Sequence, residues 1–251
     1  MGALVHFNMM TYGGCSPDAS TFHPSDLDTD QWAESFAAMG VGEAVLVAKH
    51  DCGFALWPSD AAEPDGSRYN YSVASSTWSG GDGDVVRRFL DSCNKAGIGA
   101  GYYYSLGSNK YAEAKGWTRE ELQRVERQQL TELWTRYGNR DRGGLAEIWF
   151  DGGFEGAMAS FVNESLASLQ PGAVAFNACV RQRSKNVTKA DCVTKNAVRW
   201  VGTEAGVAPD PTWSTGYSQG TAFLAPVRLT FEMFLLISKD LGCSRETIEM
   251  R

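Results

Sequence analysis

Short apolar runs recur along the chain, and most are followed by a stretch with helical spacing. Ala3-Leu4-Val5-His6-Phe7 is the first. Ala44-Val45-Leu46-Val47-Ala48 is the second, apolar at every position, as a strand buried on both faces of a parallel sheet requires. Ile98 to Ser105, Leu145 to Asp151, Ala173 to Asn177 and Val198 to Gly202 continue the series. Between them, the segment from Asp30 to Met39 puts Trp32, Phe36 and Met39 on one helical face and stops at Gly40 and Gly42. Asp84 to Ala96 turns Val85, Phe89, Leu90 and Cys93 the same way. Thr118, with Glu121 three residues on, is a capping box that opens an amphipathic helix to about Tyr137. Ala157 to Leu169 is a further helix.

This alternation of strand and helix implies a parallel sheet. The polar residues His6, His50, Asp151 and Glu204 fall at or just past the carboxyl ends of strands, where a (β/α)8 barrel carries its site. A doubly wound open sheet is the rival. Its Gly-rich phosphate loop is not matched by the segment from His6 to Gly14, HFNMMTYGG. The fold expected is therefore α/β, a (β/α)8 TIM-like barrel formed by residues 1–222. Six strands are evident where such a barrel has about eight. Closure is thus expected to be incomplete toward the C-terminus, with 223–251 a divergent helical tail whose helix runs from Leu224 to Leu241.

Composition narrows the function. With 251 residues, 43% of them hydrophobic, the chain can bury the core of one large α/β domain. A net charge of -7 argues against nucleic acid as a partner, because there is no basic surplus to neutralise phosphates. The most apolar part of the tail, Phe231 to Ile237, is too short to span a membrane, and no signal peptide follows Met1. The cysteines are widely spaced without a CxxC pair, so no metal site is expected. Cys179 and Cys192 could close a short loop as a disulfide, and free buried thiols fit the spacing equally well. Sequons at Asn70, Asn163 and Asn186 permit glycosylation. The stretch from Cys52 to Asp82, carrying Trp57, Tyr69, Tyr71 and Trp78, has the length and aromatic content of a functional loop.

Asp151 ends the apolar run Ile148-Trp149-Phe150 and precedes Gly152 and Gly153. It reads equally as a catalytic carboxylate and as a helix cap. His6 and His50 occupy matching places in adjacent βα units, which favours function over a structural role for either alone. Glu204 lies among glycines near Trp200 and Trp213. Partial desolvation there would raise its pKa and suit it to donate a proton near neutral pH, although on these residues alone a solvated loop Glu is the favoured reading. Glu155 competes for that role, and Trp57 is a candidate aromatic wall for a sugar. Two carboxylates from separate barrel strands, with His and Trp around them, suit glycoside hydrolysis; the retaining form holds them ~5–5.5 Å apart.

Several of these segments together resemble the glycoside hydrolase family 29 α-L-fucosidases. Leu4-Val5-His6-Phe7 resembles the family's FIHW/FIHF strand. The segment from Val45 to Ser59, VLVAKHDCGFALWPS, resembles its VLTAKHHDGFCLWPS signature. Gly101 to Leu106 resembles GLYYSL, and Ile148 to Gly152 resembles the WFDG that carries the nucleophile. Arg199 to Gly206 resembles the RWVGNExG of the subgroup specific for α-1,3/1,4-linked fucose. The match runs from about residue 3 to residue 213. The resemblance implies a retaining exo-hydrolase of terminal α-L-fucose that needs neither metal nor cofactor. It acts on fucosylated oligosaccharides or glycoconjugates in a secreted or lysosome/vacuole-like compartment. Asp151 would be the nucleophile and Glu204 the acid/base, with His6, His50, Trp57, Tyr103 and Trp200 lining the fucose pocket. The chain departs from the pattern at Asp51 and Cys52, where the family has His and Asp, and at Thr203, where it has Asn. The family's C-terminal β-sandwich is expected to be absent from this chain. The alternative implied is a truncated or non-catalytic fucose-binding relative.

Overall fold

The computed structural model describes residues 2–176 and 178 with their side chains, and 197–198, 216–218, 221–223 and 232–235 by backbone pairing. In chain order it comprises β1 (Gly2–Val5), α1 (Thr29–Ala38), β2 (Glu43–Lys49), α2 (Val85–Ala96), β3 (Gly99–Ser105), α3 (Lys110–Ala114), α4 (Arg119–Thr135), β4 (Glu147–Asp151), α5 (Gly156–Leu169), β5 (Val174–Phe176) and β6 (Ala197–Val198). Then follow β7 (Gly216–Ser218), β8 (Thr221–Phe223) and β9 (Glu232–Leu235). The main sheet runs β6-β5-β4-β3-β2-β1-β9 and every pairing in it is parallel. A parallel sheet whose successive strands are neighbours, joined through helices, is the α/β architecture expected of a TIM-like barrel.

The helices begin where their caps dictate. The Asp28 carboxylate accepts from the Gln31 amide at 3.0 Å, and Asp84 accepts from Arg87 at 2.8 Å. The Thr118–Glu121 capping box is formed in both directions. Each cap satisfies an amide that the first turn would otherwise leave bare. The tail differs from expectation. Residues 232–235 fall within the anticipated helix, yet they form β9 and pair with β1 from Gly2↔Glu232 to Val5↔Leu235. A short apolar run carries no period that separates a buried strand from a buried helix, and here the open edge of β1 supplies the partners. Residues 232–235 are thus an edge strand of the main sheet.

Both faces of the sheet are buried, which explains strands that are apolar throughout. Val5, Leu46, Ala48, Tyr102, Tyr104, Ile148 and Phe150 join the larger core with the helices. Leu4, Val45, Val47, Tyr103, Trp149 and Phe176 form a second cluster on the opposite face. Gly101 marks a close approach of backbones: a Cβ there would lie 2.4 Å from the Glu147 carbonyl oxygen. The segment from Cys52 to Asp82 packs as an extra layer of the larger core. Trp57, Tyr69 and Tyr71 are all but fully buried, and the Tyr69 hydroxyl donates to the Gly53 carbonyl at 2.7 Å.

Candidate active site

The site begins with an irregularity in β2. Val47 pairs with Tyr103, but Tyr104 pairs with Lys49, so Ala48 is an extra residue in the ladder. Such a bulge shifts the alternation of side chains by one. Lys49 is thereby turned to the helix-covered face, with its ammonium 4.4 Å from the Tyr104 ring centroid and donating to the Ser105 carbonyl at 2.7 Å. His50 takes the inner direction instead. There its ring lies 5.8 Å from His6 and stacks on Tyr103 at 5.8 Å with an interplanar angle of 11°. His6 and Tyr103 are 6.0 Å apart, so the three rings form a triangle over the inner cluster.

Asp151 completes this group from the end of β4. The Tyr103 hydroxyl donates to its Oδ2, and its backbone carbonyl accepts from the amides of Leu106 and Gly107 at 3.3 and 3.2 Å. Register places Asp151 opposite Ser105, so Lys49, by holding Ser105, braces the strand beside it. Trp149 lies stacked on Phe176 beneath, with centroids 4.4 Å apart, and forms a flat apolar floor. The result is a partly exposed carboxylate beside two imidazoles and a phenol on an aromatic base. Such a site offers hydrogen-bonding groups for the hydroxyls of a polar ligand and a carboxylate fixed by its own hydrogen bond.

Electrostatics differ on the two faces. His6 is pushed down to about 4, first by burial and then by His50, against the attraction of Asp151. It is therefore a neutral imidazole at neutral pH, able to donate and to accept. On the opposite face Glu126 is raised to about 7 by burial, against the pull of Lys49 and Arg119. Lys49 is lowered to about 8 by burial, with Glu126 opposing. Both side chains are fully buried.

The shift of His6 has a consequence for stability. Unfolded, the ring titrates near 6.5. Between that pH and about 4 the unfolded chain binds the extra proton, so stability is intact above 6.5 and falls on acidification through this window. A depression of this size corresponds to about 3 kcal/mol at its full extent. Denaturant titrations of His6→Gln should lose that much less stability than the unmutated protein between pH 6.5 and 4; parallel losses would refute the assignment.

The structure gathers His6, His50, Tyr103 and Asp151 and leaves Trp57 elsewhere. Trp57 has no exposed surface, and its Nε1 donates to Glu132 at 2.7 Å, so it offers no open face to a sugar. Its burial follows from the packing of the aromatic loop against α4. Glu155 is tied to α4, 3.2 Å from the Arg119 guanidinium and accepting from Gln123 at 3.1 Å. Glu204, Trp200 and the Cys179–Cys192 pair lie outside the described residues. Sequence reasoning missed the disulfide between Cys15 and Cys52, the pairing of Asp51 with Lys110 at 2.9 Å, and the buried Lys49 and Glu126. Only the departure from the family motif at residues 51 and 52 pointed toward the first two. Asp51 and the two sulfurs lie within 4.8 Å of one another, but the sulfurs are committed to each other.

Comparison with known proteins identifies the family of the chain. The Alpha-L-fucosidase family model matches residues 7–213. Alpha-L-fucosidase 1 of Arabidopsis thaliana is 32% identical over 225 residues, covering 85% of this chain and 39% of the plant protein. A relative from Oryza sativa subsp. japonica is 35% identical over 223 residues, covering 85% and 38%. The chain thus spans well under half the length of the curated relatives it matches. The crystal structure of a glycoside hydrolase 29 family member from an unknown rumen bacterium superimposes with a TM-score of 0.65 at 29% identity, covering 88% of this chain and 39% of that one. By the match of the family model over most of its length, and by its likeness to these relatives, the chain belongs to the alpha-L-fucosidase family.

Proposed function

We propose that this chain carries the catalytic centre of a retaining exo-glycosidase that removes terminal α-L-fucose from oligosaccharides or glycoconjugates. The observation that supports the reading best is the Asp151 carboxylate, held by Tyr103 beside His6 and His50 at the carboxyl end of its strand. In the first step an Asp151 oxygen bonds to the anomeric carbon as the glycosidic bond breaks, and Glu204 gives its proton to the leaving oxygen. In the second, Glu204 takes a proton from water, the water oxygen bonds to the anomeric carbon, and the Asp151 carboxylate leaves. Two displacements return the original configuration. Preference for α-1,3/1,4 linkages rests on the likeness of Arg199 to Gly206 to that subgroup's motif.

The test is turnover of an aryl α-L-fucoside, with the first-formed fucose followed by NMR. Release of the α-anomer is expected. Glu204→Gln should remove the alkaline limb of the pH profile and spare substrates with very good leaving groups. If Glu155→Gln does this instead, the acid/base is misassigned; fucose binding without turnover would favour a non-catalytic role.

A secreted or lysosome/vacuole-like location is part of the same reading. The Cys15–Cys52 disulfide and the exposed sequon residues Asn70 and Asn163 support it. A mass decrease of the natural protein on N-glycanase treatment is expected, and an unchanged mass would count against it.

A further inference from the structure

We infer that Asp51 is a positioning residue that fixes the tautomer of His50, presenting Nε2 as a hydrogen-bond acceptor for a ligand hydroxyl. His50 Nδ1 lies 2.5 Å from Asp51 Oδ1. A carboxylate only accepts, so the proton of this bond belongs to Nδ1, and in the neutral ring the lone pair is then on Nε2. Burial works against ionisation of Asp51, but the bonds from Lys110 and His50 outweigh it and hold the carboxyl below its usual range. It therefore remains an acceptor across the neutral range.

The carboxylate is itself fixed from several sides. Its Oδ2 is 2.9 Å from the Lys110 ammonium, and its backbone carbonyl accepts from the Lys110 amide at 2.8 Å. Lys110 opens α3, whose first turn is capped by the Asn109 side chain, accepting from Ala112 at 3.0 Å. The next residue, Cys52, is bonded to Cys15, and its carbonyl accepts from the Tyr111 amide at 3.2 Å. Gly53 follows at φ +94°, and its amide closes a turn onto the His50 carbonyl at 3.0 Å. Where the family motif has a second His and an Asp, this chain has an orienting carboxylate and a covalent staple. The His50 ring is held between that carboxylate and the Tyr103 face, while roughly a quarter of its side-chain surface stays open.

Imidazole nitrogen NMR tests this directly, because the chain has only three histidines. Spectra of the full chain, assigned with His6→Gln and His23→Gln, should show His50 with a protonated Nδ1 and an unprotonated Nε2 in its neutral form. In Asp51→Ala that pattern should reverse or average, and Asp51→Asn, which keeps a carbonyl acceptor, should restore most of it. For an aryl α-L-fucoside, Asp51→Ala should raise KM about tenfold with kcat changed less than about threefold, the size expected for one hydrogen bond to the ligand. The kinetic arm rests on the fucosidase reading; the NMR arm does not. A protonated Nε2 in the unmutated protein, or a pattern unchanged in Asp51→Ala, overturns the proposal. A protonated Nδ1 that depends on Asp51, in a protein that turns over no fucoside, upholds it and counts against the fucosidase reading alone.

Discussion

Replacing Asp151 by glycine is expected to lower kcat/KM for an aryl α-L-fucoside by at least about a thousandfold. The carboxylate is the proposed nucleophile, and the neighbouring His6, His50 and Tyr103 rings offer no second group that forms a glycosyl ester. Removing the side chain also empties a space beside the Tyr103 hydroxyl, which loses its acceptor. That space gives the variant a diagnostic property. Azide can enter it and bond to the anomeric carbon from the side the carboxylate occupied, expelling a good aryl leaving group. One displacement then replaces two, so the product should be a fucosyl azide of inverted configuration. Turnover within a few-fold of the unmutated protein would remove Asp151 from the nucleophile's place. Loss of turnover together with loss of thermal stability would leave the residue a structural one.

Trp57→Ala should destabilise the fold by about 3–5 kcal/mol, a large share of the ~5–15 kcal/mol that a domain has to lose. Trp57 has no exposed surface and lies in the larger core cluster, where its removal leaves a cavity that neighbours fill only in part. Its indole N–H also joins the aromatic loop to α4 through Glu132, whose other oxygen accepts from the Asp60 amide at 2.8 Å. A fall in Tm of roughly 10 °C is expected. Trp57→Phe keeps most of the volume, loses the hydrogen bond and should cost about 1–2 kcal/mol. Its kcat/KM should stay within about threefold of the unmutated value. The opposite pattern, with Tm kept and KM sharply raised in Trp57→Phe, would return this ring to the sugar.

What could be read in the sequence was whatever a short window carries. The capping box at Thr118, the apolar run before Asp151 and the paired placement of His6 and His50 are local patterns, and each has its counterpart in the structure. What could not be read depends on distant partners. Nothing near Cys52 specifies Cys15, and nothing in α4 announces that Glu126 will be buried behind the strand that carries Lys49. The same limit explains β9. Its residues pair because β1 has an edge to offer, a property of the assembled sheet. Trp57 shows the converse: its motif suggested a pocket wall, yet burial is decided by what packs above it.

The extra residue at Ala48 separates two neighbours in the chain into two different environments. Lys49 answers to the interior behind the sheet, and His50 answers to whatever enters the site. Substitutions at 50 and 51 can therefore be tried by evolution, or by an engineer, against new ligands while the foundation at 49 stays untouched. A strand that kept Ala48 but ran without the bulge would exchange the two roles at a stroke, placing an ammonium in the cleft and an imidazole in the foundation. A family sharing this kink inherits a hinge between what it must keep and what it is free to vary.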